Sequence, residues 1–246
     1  MLAFMRFDAE LFLKEKAALF FTIALPILLY LFFSLMFGNY QYEGGKFDFY
    51  DQYTISFAAM IMLSNALLGI GPTIVIYKEM GFFRRLLVTP LDMASVAAST
   101  IVRSTLCFLI GYAGMMLTGF LMFKRLPTAP IVELLAATGL ASFCLISMGF
   151  LLGSAFKSAN AAFNAGMLIF QPMLLLSGAS FPLEAFPRWL QIAAQSIPMT
   201  HAVQVLRLSW RGELFTMQAV APTLYLLAFG VFFTLVARRL FRWSVM

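Results

Sequence analysis

Six long apolar stretches limit what this chain can fold into. Stretches of about 18 or more apolar residues with few charges are typical of transmembrane helices, because about 20 helical residues cross the hydrocarbon core. Hydrophobic residues make up 62% of the 246 residues and charged residues 11%, which is more apolar side chain than a water-soluble fold can bury. We therefore expect an all-α polytopic membrane protein of one domain, residues 1–246, with six transmembrane helices at residues 17–38, 53–77, 104–123, 131–156, 160–179 and 217–237.

The distribution of basic residues predicts the orientation of these helices, since cytoplasmic loops are enriched in Lys and Arg. With the N-terminus inside, eleven of the 17 basic residues fall in cytoplasmic segments and six fall outside. Both termini are therefore expected in the cytoplasm, and the net charge of +6 indicates no nucleic-acid partner. The first apolar stretch is longer than the core of a signal peptide, so it should remain in the lipid bilayer as an anchor.

The residues before the first span form an amphipathic pattern. Phe4, Phe7 and Leu11 share one helical face, whereas the charged residues Arg6 and Glu10 share another. A helix with one apolar and one charged face lies in the headgroup plane. We predict an N-terminal interfacial helix over residues 2–16; the alternative is an ordinary charged flank.

Residues 78–92 form the expected cytoplasmic connection after the second span. The segment mixes acidic and basic side chains with Phe82, Phe83, Leu86 and Leu87, and Thr89-Pro90 should end its helix. An apolar, aromatic cluster flanked by arginine is typical of a docking surface. A basic flank at the membrane surface would explain Arg84 and Arg85 equally well on residue chemistry alone.

The connection between the last two spans predicts two short re-entrant helices. An apolar span ends at Ser177-Gly178, Phe181-Pro182 interrupts the chain, and two amphipathic stretches follow, opened by Pro187 and Pro198. Such half-helices are stable inside a bilayer only where protein or water covers their polar sides. Two apolar faces are predicted, one with Phe186, Trp189, Leu190, Ala193 and Ile197, and one with Met199, Val203, Leu206 and Trp210.

Polar and small residues within the spans allow two interpretations. Ser64, Asn65, Asn164 and Gln171 could line a pathway or bond neighbouring helices, and helix packing is favoured. Gly149-x-x-x-Gly153 indicates close helix contact without naming a partner. Gly69-Ile70-Gly71-Pro72 predicts a kink that is either structural or a hinge for opening a pathway.

Two segments resemble the permease subunits of type-2 ABC exporters, most closely the drug-exporter branch. Glu-x-Gly followed by Arg-Leu-Leu-x-Thr-Pro is similar to the helix that fits the nucleotide-binding subunit in that family and transmits its closure. The resemblance implies a coupling role for this motif, and Phe82, Phe83 and Arg84 complete the segment. The motif residues are Glu79, Gly81, Arg85, Leu86, Leu87, Thr89 and Pro90.

The connection between the last two spans carries the second part of the resemblance. In the family this connection covers the outward end of the transport pathway, so the resemblance implies an outer gate. It also implies location in a bacterial-type plasma (inner) membrane. The gate residues implied are Ser177, Gly178, Phe181, Pro182, Pro187, Trp189, Pro198 and Arg207.

ATP binding is not predicted for this chain. The fragment from Gly153 to Lys157-Ser158 lacks the glycine that precedes lysine in a phosphate-binding P-loop. No cofactor is therefore expected here, and the resemblance implies that ATP and Mg²⁺ bind two copies of a separate ATPase subunit. It also implies a second permease chain, identical or related, in the lipid bilayer.

The lone histidine, His201, cannot build a metal site, which usually needs three or four ligands.

Scarce intramembrane charge and many Phe and Met residues suggest hydrophobic or amphipathic cargo, such as a drug, peptide or lipid-like molecule. Export of polysaccharide or lipid-linked glycan is the alternative within the same family. An intramembrane serine hydrolase would use Ser177 and His201, but Leu175 stands where its Gly-x-Ser motif needs glycine. A purely structural scaffold would leave residues 78–92 unexplained.

Overall fold

The computed structural model describes residues 20, 24–37, 49–82, 93–124, 130–180, 183 and 186–240, and every regular element in these ranges is helical. Helices α1 to α3 are Leu25–Phe37, Phe49–Ser64 and Gly71–Glu79, and a π-helical segment, Asn65–Ile70, joins the last two. The helices that follow are α4 (Met93–Phe123), α5 (Ile131–Ala155), α6 (Ala159–Leu176), α7 (Arg188–Gln195), α8 (Pro198–Trp210) and α9 (Met217–Leu240).

The predicted all-α membrane architecture is confirmed. In the described residues, five helical runs are long and apolar enough to cross a membrane: Tyr53–Glu79, Ser99–Leu121, Ile131–Ala155, Ala159–Leu176 and Met217–Leu240. The first predicted span is described as the shorter helix α1, and the third begins earlier than predicted, at Met93. The predicted interfacial helix, residues 2–16, lies outside the described residues.

The second span changes from α- to π-helix at Asn65 and returns to α-helix at Gly71. Pro72 lies in the first turn of α3, has no N–H to donate, and its ring would crowd the carbonyl four residues earlier. A wider π turn relieves that crowding. The kink predicted at Gly69–Pro72 therefore takes the form of a π-helical segment.

Helix α5 packs against the second span through small residues. The Cα of Gly149 lies directly against the backbone carbonyl of Ala66, and that of Gly153 lies against Ile74 and the Gly71 carbonyl. Close backbone approach of this kind is how small residues join membrane helices. The structure therefore supplies the packing partner that the spacing of Gly149 and Gly153 left unnamed.

Polar pairs join other helices inside the core. The Tyr30 hydroxyl lies 2.8 Å from Thr54 Oγ1 and connects α1 with α2, and both side chains are buried. Thr234 Oγ1 on α9 donates to Ser147 Oγ on α5 at 3.0 Å. Interhelical hydrogen bonds suit an apolar environment, because water cannot replace either partner there.

Large apolar side chains remain exposed along the outer faces of α4, α6 and α9, for example Leu121, Leu168 and Phe232. On a water-soluble protein such surfaces would mark interaction sites. In a polytopic membrane protein they are surfaces suited to contact with lipid.

Candidate functional site

The chain turns sharply where the second span ends and the predicted coupling segment begins. Helix α3 ends at Glu79, and Gly81 follows with a left-handed backbone (φ 63°) while its N–H donates to the Lys78 carbonyl at 3.0 Å. Glycine adopts this conformation without steric cost and commonly ends helices in this way. The Phe82 ring then lies 5.1 Å, centroid to centroid, from the Tyr77 ring.

Lys78 and Glu79 contact opposite sides of the turn between α5 and α6. The Lys78 ammonium donates to the carbonyls of Gly153 and Ser154, at 2.6 and 3.2 Å, in the last turn of α5. The Glu79 carboxylate accepts the N–H of Ala159, the first residue of α6, at 3.1 Å. Each charge sits at the helix end whose dipole favours it.

Of the predicted coupling residues, the structure describes Glu79, Gly81 and Phe82. The remainder, Phe83, Arg84, Arg85, Leu86, Leu87, Thr89 and Pro90, lie outside the described residues.

The opposite end of the protein holds the predicted gate. Helix α6 ends at Leu176, and Gly178 adopts φ 79°, where the nearest side chain is that of Leu183. Ser177 is buried; its hydroxyl donates to the Leu174 carbonyl and accepts the Ala179 N–H, both at 3.3 Å. Phe181 and Pro182 lie outside the described residues.

The two predicted short helices are present as α7 and α8. Pro187 is the N-cap of α7, and Pro198 is the first residue of α8, where a missing N–H costs no hydrogen bond. Thr200 Oγ1 donates to the Ala194 carbonyl at 2.7 Å, and His201 Nε2 lies 2.8 Å from the Gln195 carbonyl. These contacts hold the end of α7 on the start of α8.

The predicted apolar face of α8 is its buried face, since Met199, Val203, Leu206 and Trp210 are each at most 3% exposed. The predicted face of α7 is not packed in the same way: Trp189 is 69% exposed and Ala193 is also exposed, whereas Ala194 is buried. An apolar side chain in a membrane protein can face lipid, so periodicity alone does not say which apolar face protein covers.

Arg207 joins three elements at this end. One terminal nitrogen of its guanidinium donates to Ser56 Oγ on α2 and to the Gly178 carbonyl just beyond α6, both at 2.8 Å. Gly178 follows the C-cap of α6, so the cation also lies close to the negative end of the α6 dipole, a favourable electrostatic position. The half-buried Arg207 therefore ties α8 to the start of the second span and the end of α6.

A buried carboxylate at the same end was not among the sequence-based candidates. Glu133 lies in the first turn of α5, is 7% exposed, and accepts the Leu214 N–H at 2.9 Å. The connection that supplies this N–H turns at Gly212 (φ 71°), beside Pro130. The predictive signal was present in the sequence, because an acidic residue three positions after a proline suits a helix N-terminus.

The polar residues of the spans separate into two groups. Ser64 and Asn65 are buried: Ser64 Oγ donates to the Ile61 carbonyl and Asn65 Nδ2 donates across to the Ser104 carbonyl on α4, both at 3.0 Å. Asn65 therefore bonds a neighbouring helix, whereas Ser64 bonds a carbonyl of its own helix. Asn164 and Gln171 are exposed on α6 instead, and the exposed Asn160 shares their face. The structure therefore brings Ser64 and Asn65 into the core and leaves the other pair uncovered.

The geometry does not assemble a hydrolytic site from the described contacts. The Ser177 hydroxyl bonds within the end of α6, and His201 contacts Gln195 and the tilted ring of Tyr225, with ring centroids 4.0 Å apart. Among the described residues, His, Cys, Asp and Glu form no group of three suited to a metal ion.

Comparison with known proteins agrees with a membrane-transport architecture. The family model described as "ABC-2 type transporter" matches residues 2–210, which is most of the chain. No match to the chain was found among curated proteins. The match covers the helices that carry the Lys78–Glu79 turn, the Arg207 contacts and the two short helices. This chain therefore belongs to the ABC-2 type transporter family and is a transmembrane permease of an ABC transporter.

Proposed function

We propose that the chain is the membrane subunit of an ATP-driven exporter that moves hydrophobic or amphipathic cargo out of the cytoplasm. Family membership carries the proposal. The permease works with two copies of a separate P-loop ATPase subunit, which supply ATP hydrolysis and bind ATP and Mg²⁺. It resides in the plasma membrane with both termini in the cytoplasm, as the excess of basic residues in the corresponding segments supports.

The proposed coupling surface is the segment from Glu79 to Pro90. Its first residues support the assignment: the left-handed Gly81 ends α3, so the chain leaves the span in a fixed direction. Met80 is 67% exposed beside it, at the surface where an ATPase would dock.

An exposed amide stripe on α6 supports a second permease chain. Asn160, Asn164, Met167 and Gln171 follow the spacing i, i+4, i+7, i+11, which places them on one narrow helical face, and all four are exposed. Amide side chains facing lipid tails would leave polar groups unpaired, so this stripe needs a polar or proteinaceous neighbour. An amide is both donor and acceptor, so a second copy related by a two-fold axis can pair with the same residues.

The same stripe is the proposed pathway lining, because a helix pair that meets along Asn164 and Gln171 presents polar groups between otherwise apolar surfaces. Phe163 and Leu168 flank the stripe and are exposed, so the lining would combine amides with large apolar side chains. Such a surface suits amphipathic cargo, which needs both kinds of contact.

The proposed outer gate is formed by α7, α8 and the Ser177–Gly178 turn. Arg207 bonds Gly178 within this unit, and its bond to Ser56 ties the unit to the second span. Opening toward the outside then requires the bond between Arg207 and Ser56 to be exchanged for another.

Reconstitution tests the proposal. The chain and its ATPase, in liposomes, are expected to show ATP turnover that responds to cargo and to replacement of Gly81, Leu86 and Leu87. Transport by the permease without an ATPase would contradict it. So would ATP turnover that is indifferent to all three replacements.

A further inference from the structure

The contacts of Lys78 and Glu79 suggest how movement enters the membrane part of the protein. The two residues are adjacent in sequence at the end of α3, yet Lys78 bonds the last turn of α5 and Glu79 bonds the first residue of α6. The turn between them, residues 156–158, is thus held from both sides by one helix end.

Both contacts replace caps that the turn does not provide for itself. The last carbonyls of a helix and its first N–H groups have no partner within the helix. Ser158 is the N-cap of α6 but its side chain makes no capping bond, and the Glu79 carboxylate accepts the first N–H instead. Lys78 takes the carbonyls of Gly153 and Ser154 at the other helix end.

We propose that Lys78 and Glu79 act as positioning residues that make the α5–α6 turn follow the end of α3. Lys78 lies in the segment 78–92 but is not one of the coupling motif residues, which begin at Glu79. The inference rests on the proposed function: a displacement of the coupling segment moves Met80 and Gly81, and the two charges carry that displacement to the start of α6.

The element that moves is the one that carries the amide stripe. Asn160 follows Ala159 directly, and Asn164 lies one turn further along α6. The glycine contacts of α5 and α6 with the second span are tight, because Gly166 packs on the Leu67 carbonyl as Gly149 packs on that of Ala66. Tightly packed helices shift as rigid bodies rather than by bending, so a displaced α6 start displaces the stripe.

Hydrogen exchange in lipid nanodiscs without any ATPase tests the contacts themselves. Glu79→Ala is expected to raise exchange at the Ala159 amide about tenfold, because that amide loses its acceptor. Lys78→Met is expected to raise exchange over residues 153–158. Lys78→Arg keeps a cationic donor and should restore protection, and Lys157→Met, at an exposed lysine of the same turn, should have no effect. Unchanged exchange in Glu79→Ala and Lys78→Met would overturn the proposal.

A second arm adds the ATPase and compares exchange over residues 156–162 with and without a non-hydrolysable ATP analogue. A nucleotide-dependent change is expected in the wild type, in Lys78→Arg and in Lys157→Met, and its loss in the Lys78→Met/Glu79→Ala double variant. Persistence of the change in the double variant would overturn the proposal. A wild type that shows no change would count against the ATPase partnership, whereas the first arm judges the contacts independently.

Discussion

Gly149 on α5 packs its Cα directly on the backbone carbonyl of Ala66, at the start of the π-helical segment of the second span. A methyl group at this position would meet a backbone atom rather than the end of a flexible side chain, so the two helices would have to separate.

We expect Gly149→Ala to lower the free energy of unfolding by about 1–3 kcal/mol, the usual cost of overpacking a filled core. Gly139→Ala is the matched control, since it lies on the same helix and a Cβ there meets nothing within 4 Å. Thermal unfolding in detergent, followed by tryptophan fluorescence, measures both. Equal melting temperatures for the two variants would show that the Gly149 contact is not tight.

The Arg207 contacts predict a stabilising role for a single guanidinium. Arg207→Met should lower the free energy of unfolding by about 2 kcal/mol, because the Gly178 carbonyl and the Ser56 hydroxyl both lose a charged donor. Ser56→Ala should cost less, and the double variant should cost less than the sum, since the bond between the two residues is counted twice. Arg188→Met on α7, where the arginine is exposed, is the control. Strict additivity of Arg207→Met and Ser56→Ala would argue against a direct bond.

Replacements of Glu133 should separate the effect of its charge on stability from the effect of its hydrogen bond. Glu133→Leu should destabilise the protein by about 1–3 kcal/mol, because it leaves the Leu214 N–H without its acceptor at a buried site. Glu133→Gln keeps an acceptor oxygen and should retain most of the stability. Exposed Glu213, in the same connection as Leu214, supplies the control Glu213→Gln. The measurement is again the melting temperature, and a harmless Glu133→Leu would refute the role.

Replacements of Gly81 should affect coupling through the backbone conformation alone, without a steric clash. A Cβ added at Gly81 would meet nothing within 4 Å, but the φ of 63° is unfavourable for most residues by about 1–2 kcal/mol. Asparagine tolerates this region, so ATP turnover with the partner ATPase should fall in the order Gly, Asn, Ala, Val. A valine variant as active as the asparagine variant would show that the left-handed turn does not matter for coupling.

The amide stripe predicts where two copies meet. In a background without Cys107 and Cys144, Met167→Cys should give a cross-linked dimer in membranes, because Met167 lies between Asn164 and Gln171 on the stripe. Leu224→Cys, on an exposed face of α9, should give far less. Cross-linking only when a related six-span chain is co-expressed would replace the homodimer by a heterodimer, and equal cross-linking at both positions would refute the interface.

Apolar stretches were sufficient to predict the five membrane-spanning helices of the described residues, because length and hydrophobicity decide whether a helix crosses a bilayer. The buried face of α8 could also be predicted, since Met199, Val203, Leu206 and Trp210 repeat at helical spacing. The exposure of Trp189 could not be predicted, because the same periodicity arises whether lipid or protein covers an apolar face.

The polar contacts were the least predictable part. In the sequence, Lys78 is an ordinary basic residue at a membrane surface. Its bonds to Gly153 and Ser154 depend on how two helices that are distant in sequence pack. The π-helical segment follows from Pro72 only in part, since a proline kink has several local solutions. Predicting hydrogen bonds of this kind requires the tertiary fold, whereas the apolar pattern can be seen in the amino-acid sequence alone.

The π-helical segment also gives the second span one place where its length can change. A π turn accommodates an extra residue, so deleting one residue from Asn65–Ile70 would allow an uninterrupted α-helix whose later residues still face in about the same direction. A deletion in the α-helical part of the span, such as that of Ala58, has no turn to absorb it, so everything beyond would rotate by about 100° around the axis, the angle of one residue. Lys78 and Glu79 would then move away from the ends of α5 and α6 although neither had been altered, so a one-residue deletion should be far less harmful within Asn65–Ile70 than elsewhere in the span.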